Sequence, residues 1–379
     1  MIKKNKIVIL MIILAVTGLF LSIKITMKHS NTVRTDNIPL TKNIKLNQYP
    51  QQQQNLVNFI KKNLLTSNGI YTSTLAVDNA DSKDHLATGK EMLTESSGIW
   101  LQYLVSVDSN DSKKSFESFY KNTKATFWRN NQFNYRFDPI NKELSSVNAT
   151  LDDLRIVKSL IMYDQKYKTN FYEKDINEIC QSLKKSVIKK DVLLDYYDPI
   201  LKKGADVSSL AYYDLATLKL LEQNSHNQKI YKHQVEIVKD GYISDDFPLY
   251  ARNFNVSSGI YSSDDLNTSE GLEVLLHMAQ VGELRPTSKR WLIERVNNNN
   301  LFNGYSIKGT PVSHETSVAN YALAAQIFKL TNDKKSYDNA MSIIWQSQLK
   351  SGKYIGGLGD DKTKQFYSYN NLNALIAAE

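Results

Sequence analysis

From Gln51 to the last residue, apolar positions recur at three- and four-residue intervals, the spacing that lines one face of an α-helix. The pattern divides into about twelve segments, near residues 50–65, 88–106, 111–129, 149–166, 171–189, 205–223, 226–240, 264–282, 286–299, 314–331, 334–349 and 365–378. Polar starts mark several of them: Asn110 or Asp111 before the third, Thr150 before the fourth and Asp264 before the eighth are expected N-caps. Short and long connections alternate. The long ones, 66–87, 130–148, 190–204, 241–263, 300–313 and 350–364, all precede even-numbered segments. Six helix pairs with their long loops on one side predict a closed ring of hairpins, an all-α (α/α)6 barrel. Its even helices would line the inside and its long loops would form one rim. A helical solenoid would repeat its sequence more closely than these segments do.

Composition agrees. The 379-residue chain is 41% hydrophobic and carries 22 Tyr, but only 15 Gly and 7 Pro, so strand-to-strand turn signals are few. Net charge is +8, yet the Lys residues are dispersed and form no basic stripe of the kind nucleic acid requires; no nucleic-acid partner is expected. The excess reads as a solvated surface with weak attraction to an anionic envelope. Cys180 is the single cysteine, which rules out an intramolecular disulfide, and its amphipathic setting reads as core.

The N-terminus is of a different kind. Lys3, Lys4 and Lys6 precede an apolar run from Ile7 to Ile23, near the lower length limit for spanning hydrocarbon. Basic residues on the short side favour an exported body, and no small-x-small cleavage site follows. Residues 1–25 therefore read as an uncleaved signal-anchor in the cell membrane and 26–48 as a polar tether. Residues 49–379 read as one extracytoplasmic, monomeric domain; if the anchor is cleaved, the domain is secreted.

The unusual residues fall at the starts of the even segments. Glu95 lies in Thr94-Glu95-Ser96-Ser97-Gly98-Ile99-Trp100, a poor helix-forming run that makes sense if something must approach the helix closely. Asp152 and Asp153 open the fourth segment, where acidic side chains also favour the helix dipole. Tyr212 and Tyr213 lie in the sixth, Asp264 and Asp265 open the eighth, and Tyr369 lies in the twelfth; Asp245 and Asp246 sit in the loop before Phe247. Carboxylates, amides and flat rings on one rim suit a sugar polymer. The six His are scattered without ligand spacing, and no phosphate loop or nucleophile elbow occurs, so neither a metal nor a cofactor is expected.

Thr94 to Leu101 resembles the acid motif Ser-Glu-Gly-Gln-Gly-Tyr-Gly-Met of glycoside hydrolase family 8, with Glu95 and Gly98 matching and Ser97 and Ile99 departing. Asp111 to Trp128 is similar to the helix that follows in the family. Ala149 to Val157 resembles its Ala-Thr-Asp-Gly-Asp-Leu-Asp-Ile-Ala motif, with Leu151 at the first Asp and Asp153 at the second; Asp152 supplies the first after a one-residue shift. Tyr212-Tyr213 resembles the family's Tyr-rich segment. The family's base stands at the start of its eighth helix in Tyr-Asp-Ala-x-Arg-x-Pro-Trp-Arg; Tyr261 to Asp265 lies at that place without the Arg and Trp.

The resemblance implies an (α/α)6 glycosidase that inverts the anomeric carbon. Glu95 would be its acid and Asp264 its base, with Asp265 and Asp246 as alternative bases. Asp152, Asp153, Trp100, Tyr212, Tyr213 and Tyr369 would bind the polysaccharide, and Trp100 would flank the acid. Two other readings stand beside it. One is a barrel that lost its base and now binds polysaccharide during its synthesis or export. The other is an (α/α)6 lyase or uronide hydrolase, which would need rim arginines; Arg155 and Arg252 are the two present.

Overall fold

The computed structural model describes residues 49–75, 89–221 and 225–379. The anchor and tether expected over 1–48 lie outside the described residues. Among those described, no helix is long and apolar enough to cross a membrane.

Twelve helices are described. They are α1 (Pro50–Asn63), α2 (Thr94–Ser106), α3 (Asn110–Phe127), α4 (Thr150–Tyr167), α5 (Glu173–Ser186), α6 (Leu215–Leu220), α7 (Ser225–Asp240), α8 (Thr268–Gln280), α9 (Pro286–Asn297), α10 (Val318–Leu330), α11 (Lys334–Gln346) and α12 (Ser368–Ala378). The even helices close a ring: α2 packs on α4, α4 on α6, α6 on α8, α8 on α10, α10 on α12, and α12 back on α2. Burial separates the two sets. Ten of the thirteen residues of α2 are buried, against five of the eighteen in α3. A helix surrounded by others needs no polar face, while an outer helix keeps one apolar stripe and a solvated remainder. Phe116, Phe119, Tyr120, Thr123 and Phe127 form that stripe in α3. One continuous hydrophobic core runs from Leu56 on α1 to Ala378 on α12.

Several expected boundaries are corrected. The sixth segment, expected over 205–223, is a short strand Val207–Ser209, a 3-10 turn Leu210–Tyr212 and only then α6. The eighth and tenth helices begin at Thr268 and Val318 rather than near 264 and 314. Asp264 therefore caps nothing; Asn267 accepts from the backbone N–H of Ser269 and Glu270. Ser109, not Asn110 or Asp111, caps α3. Thr150 lies inside α4 and donates its hydroxyl to the Leu194 carbonyl at 2.7 Å.

The long loops contain antiparallel strands of two or three residues. Arg129 pairs with Gln132 across Asn130 and Asn131 (φ 54° and 65°), and Lys189 pairs with Val192 across Lys190 and Asp191 (φ 50° and 66°). Both are two-residue turns with two left-handed residues, whose twist matches the strands they join.

Candidate active site

A two-residue strand, Met92–Leu93, runs straight into α2, so Glu95 stands in the first turn at the long-loop end of an inner helix. What approaches this helix is α4. A Cβ added at Gly98 would stand 2.8 Å from the Arg155 Cβ, so only glycine allows the two helices to come this close. The Thr94 hydroxyl donates to Asp152 on α4 at 2.8 Å, and Ser96 and Ser368 share a hydrogen bond of 2.8 Å from α2 to α12.

The close approach sets the Arg155 guanidinium among three carboxylates from three helices. It lies 2.6 Å from Glu273 on α8, 3.2 Å from Asp152 on its own helix and 3.8 Å from Glu95. Tyr369 on α12 donates its hydroxyl to Glu273 at 2.9 Å. The Arg155 and Glu273 side chains are buried, whereas that of Glu95 keeps 29% of its surface open. Burial pushes the Glu95 carboxyl up to about 7; Arg155 opposes the shift, and Asp152 and Glu273 add to it. Burial raises Asp152 too, against the pull of Arg155 and of the Thr94 hydroxyl. Burial also works against the charge on Arg155, but Glu273, Glu95 and Asp152 outweigh it and hold the guanidinium above its usual range.

Deeper along the same helices a second charged pair follows. Lys158 meets Asp214 at 3.2 Å. Although burial alone would raise Asp214, Lys158 and His277 hold it down at about 2. Burial also moves His277 below its ordinary range, against the pull of Asp214 and Glu273.

The expected site residues divide sharply. Glu95, Asp152 and Tyr369 converge on Arg155, directly or through Glu273. Half-buried Tyr212 lies within electrostatic reach of Asp152, Asp195 and Glu95. Asp153 turns the other way: it is buried, accepts from the Asn148 amide at 2.6 Å, and is raised well above the carboxylate range by burial. Trp100 is corrected from groove to core; it is 2% exposed and packs on Tyr103 with ring centroids 5.1 Å apart. Tyr213 is likewise core, fully buried with its hydroxyl on Ser208 at 2.7 Å. Asp264, Asp265 and Asp246 stand exposed on loops, and among the described residues no hydrogen bond or ion pair ties them to the Arg155 cluster.

Sequence reasoning missed Glu273 and Asp195 and gave Arg155 no role at the centre. A usable signal was the spacing: Arg155 and Lys158, like Glu273 and His277, repeat at three or four residues inside helices assigned to the inner ring, where a charge must find a buried partner. Asp195 is pushed up to about 6 by burial although the Ser209 backbone N–H and hydroxyl both donate to it at 2.6 Å. Among the described residues no group of three His, Cys, Asp or Glu is arranged to hold a metal ion.

Comparison with known proteins gives the same fold. No family profile matches the chain. It is 23% identical over 333 residues to a Bacillus subtilis (strain 168) protein named "Putative lipoprotein YdaJ", covering 84% of each chain. A Clostridium perfringens structure described as a novel alpha-amylase superposes with a TM-score of 0.78 at 29% identity, over 86% of this chain and 97% of that one. Endoglucanase Cel10 of Klebsiella pneumoniae, a family 8 glycosyl hydrolase, superposes with a TM-score of 0.57 at 13% identity, over 85% of this chain and 97% of its own. The ring of inner helices and these likenesses agree: the chain has an (α/α)6 fold like that of glycoside hydrolase family 8 structures.

Proposed function

We propose that the protein hydrolyses the glycosidic bonds of a polysaccharide outside the cytoplasm, with Glu95 as the general acid. The observation that carries this reading is the Glu95 carboxyl, open at the rim end of an inner helix and pushed up to about 7. An acid of that strength is still about half protonated near neutral pH and gives up its proton readily when a leaving oxygen develops charge. Glu95 protonates the glycosidic oxygen as the bond to the anomeric carbon breaks. A water on the opposite face of the sugar loses its proton to a second carboxylate as its oxygen bonds to the anomeric carbon, which inverts the centre. Asp152 and Tyr212 flank Glu95 and hold the sugar.

The second carboxylate belongs on the opposite wall, about 6.5–9.5 Å from the acid. Asp264 and Asp265 precede α8, which lies three steps round the inner ring from α2. Asp264 is the base in this reading, with Asp265 and Asp246 behind it. Export rests on the basic, apolar N-terminal run and on the name of the Bacillus subtilis relative.

The test is Glu95→Gln, assayed on α-glucans, β-glucans, xylan and chitosan. Hydrolysis falls by roughly 10²–10⁴-fold, with the circular dichroism spectrum and melting transition of a folded protein retained. Unchanged turnover in Glu95→Gln refutes the assignment. One observation favours a binding barrel without turnover: Asp264, Asp265 and Asp246 stand exposed and have no hydrogen bond or ion pair from their side chains among the described residues. Saturable polysaccharide binding, with no reducing ends released over long incubation, replaces the hydrolase reading with that one.

A further inference from the structure

Among the described residues Arg155 is the cation beside Glu95, and yet it does not pair closely with it. Its two terminal nitrogens are taken elsewhere, one by Glu273 at 2.6 Å and the other by Asp152 at 3.2 Å, which leaves 3.8 Å to Glu95. Tyr369 fixes the Glu273 oxygen that binds Arg155, and His277 lies 3.6 Å from the other. Glu273 is the sixth residue of α8, whereas Glu95 is the second of α2, and the Glu273 side chain is 8% exposed. The geometry gives it a task that contact with substrate does not require. We propose that Glu273 is a positioning residue: by binding the Arg155 guanidinium it draws that cation away from Glu95 and keeps the Glu95 carboxyl protonated.

Among the described residues the groups that face Glu95 are Asp152 and Arg155 from α4, Glu273 from α8, Tyr369 from α12 and Tyr212 from the 3-10 turn. Only Arg155 among them is a cation, so the proton on Glu95 depends on where that single charge is held. Removing the Glu273 charge acts twice in the same direction. It takes away a negative neighbour, and it frees Arg155 to swing onto Glu95. Both effects favour the ionised form of Glu95.

The experiment is Glu273→Gln, read by two measurements. The first follows the Glu95 carboxyl by carbon NMR in protein labelled at the Glu δ-carbon, with Glu95→Gln identifying the resonance. This readout requires no substrate, so it stands even if the hydrolase reading, on which the catalytic use of the device rests, fails. In Glu273→Gln the Glu95 midpoint falls by at least about one pH unit, the scale of a close opposite charge. The second is the pH profile of hydrolysis. Its basic limb moves down by the same amount, which costs about tenfold in kcat/KM at pH 8 and less than about twofold at pH 5. A merely structural loss would lower the rate at every pH alike. Should Glu273→Gln fold poorly, Glu273→Asp keeps the charge and withdraws it by one methylene; the Glu95 midpoint then moves the same way by a smaller amount. A Glu95 midpoint that stays in place in the variant that folds, or that lies near an ordinary glutamate value in the unaltered protein, overturns the proposal. A shifted midpoint in a protein that cleaves no polysaccharide upholds the device and removes the hydrolase.

Discussion

The rims of α2 and α8 begin alike and end differently. Each is a two-residue strand leading directly into a helix that opens on Thr, Met92–Leu93 before Thr94 and Leu266–Asn267 before Thr268. At α2 the first-turn carboxylate is drawn into a shared charge cluster and its proton affinity changes. At α8 the carboxylates expected to matter, Asp264 and Asp265, stop short of the helix and stay in solvent. The first-turn carboxylate of α8, Glu270, pairs with Arg252 at 3.0 Å at the surface, and the one that α8 gives to the cluster, Glu273, enters one turn deeper. The same local scaffold thus tunes an acid only where a neighbouring helix comes close enough to surround it. At α2 that neighbour is α4, admitted by Gly98.

This contrast can be attacked in order of expected effect. Arg155→Met leaves Asp152 and Glu273 buried without their cation. Breaking a buried pair from one side costs about 3–5 kcal/mol, to be seen as a lowered denaturant midpoint at constant slope. A loss below about 1 kcal/mol would mean that the cluster is not electrostatically knit.

Next comes the linkage between Glu95 and pH. Its folded-state value of about 7 lies above the ordinary 4.5, so the stability it contributes is complete below pH 4.5 and is lost as pH rises through 7. Glu95→Gln, which cannot ionise, avoids that loss. Relative to the unaltered protein it gains about 3 kcal/mol between pH 4.5 and 8, measured by urea unfolding at a series of pH values. Equal stability differences at both ends of the series would deny the raised value.

Gly98→Ala drives a methyl toward Arg155 and costs about 1–3 kcal/mol. It also weakens the α2–α4 seam, so Glu95 titrates closer to an ordinary carboxylate. Asp264→Asn and Asp265→Asn, by contrast, change stability by less than about 0.5 kcal/mol. If Asp264→Asn abolishes turnover with this stability intact, the α8 rim supplies its chemistry from an exposed loop. If it does not and Asp195→Asn does, the water-activating carboxylate lies beside Tyr212.

The architecture was legible because it is written in repetition: alternating loop lengths and helix-period apolar positions gave twelve helices and an inner set. The β-hairpins of the long loops were not read, although Asn130-Asn131 between Arg129 and Gln132 is a turn pair that tolerates left-handed backbone. Glu95 and Asp152 could be found because they stand beside helix starts with unusual neighbours. Trp100 misled because closeness in sequence was taken for closeness in space. Five residues along a helix is about 140° around it, which turns the indole away from the acid and into the core. Asp152 and Asp153 differ by about 100°, enough to send one to α2 and the other to Asn148. Glu273 was hidden by distance along the chain, since its partner Arg155 is 118 residues away. The family-like motif sets Arg155 where the family has its third Asp, so this centre departs in sign at that position from the pattern it resembles.

The seam between α12 and α2 has a consequence for how the barrel comes into being. Ser96 and Ser368 meet across 272 residues, and Tyr369 reaches Glu273 from the same closing helix. Until residues 368–378 arrive, a growing chain holds five inner helices with the flank of α2 bare. Contacts of such long separation are slow to form. The cluster is therefore complete only once α12 has closed the ring, because the Tyr369 hydrogen bond that fixes Glu273 comes from that last inner helix.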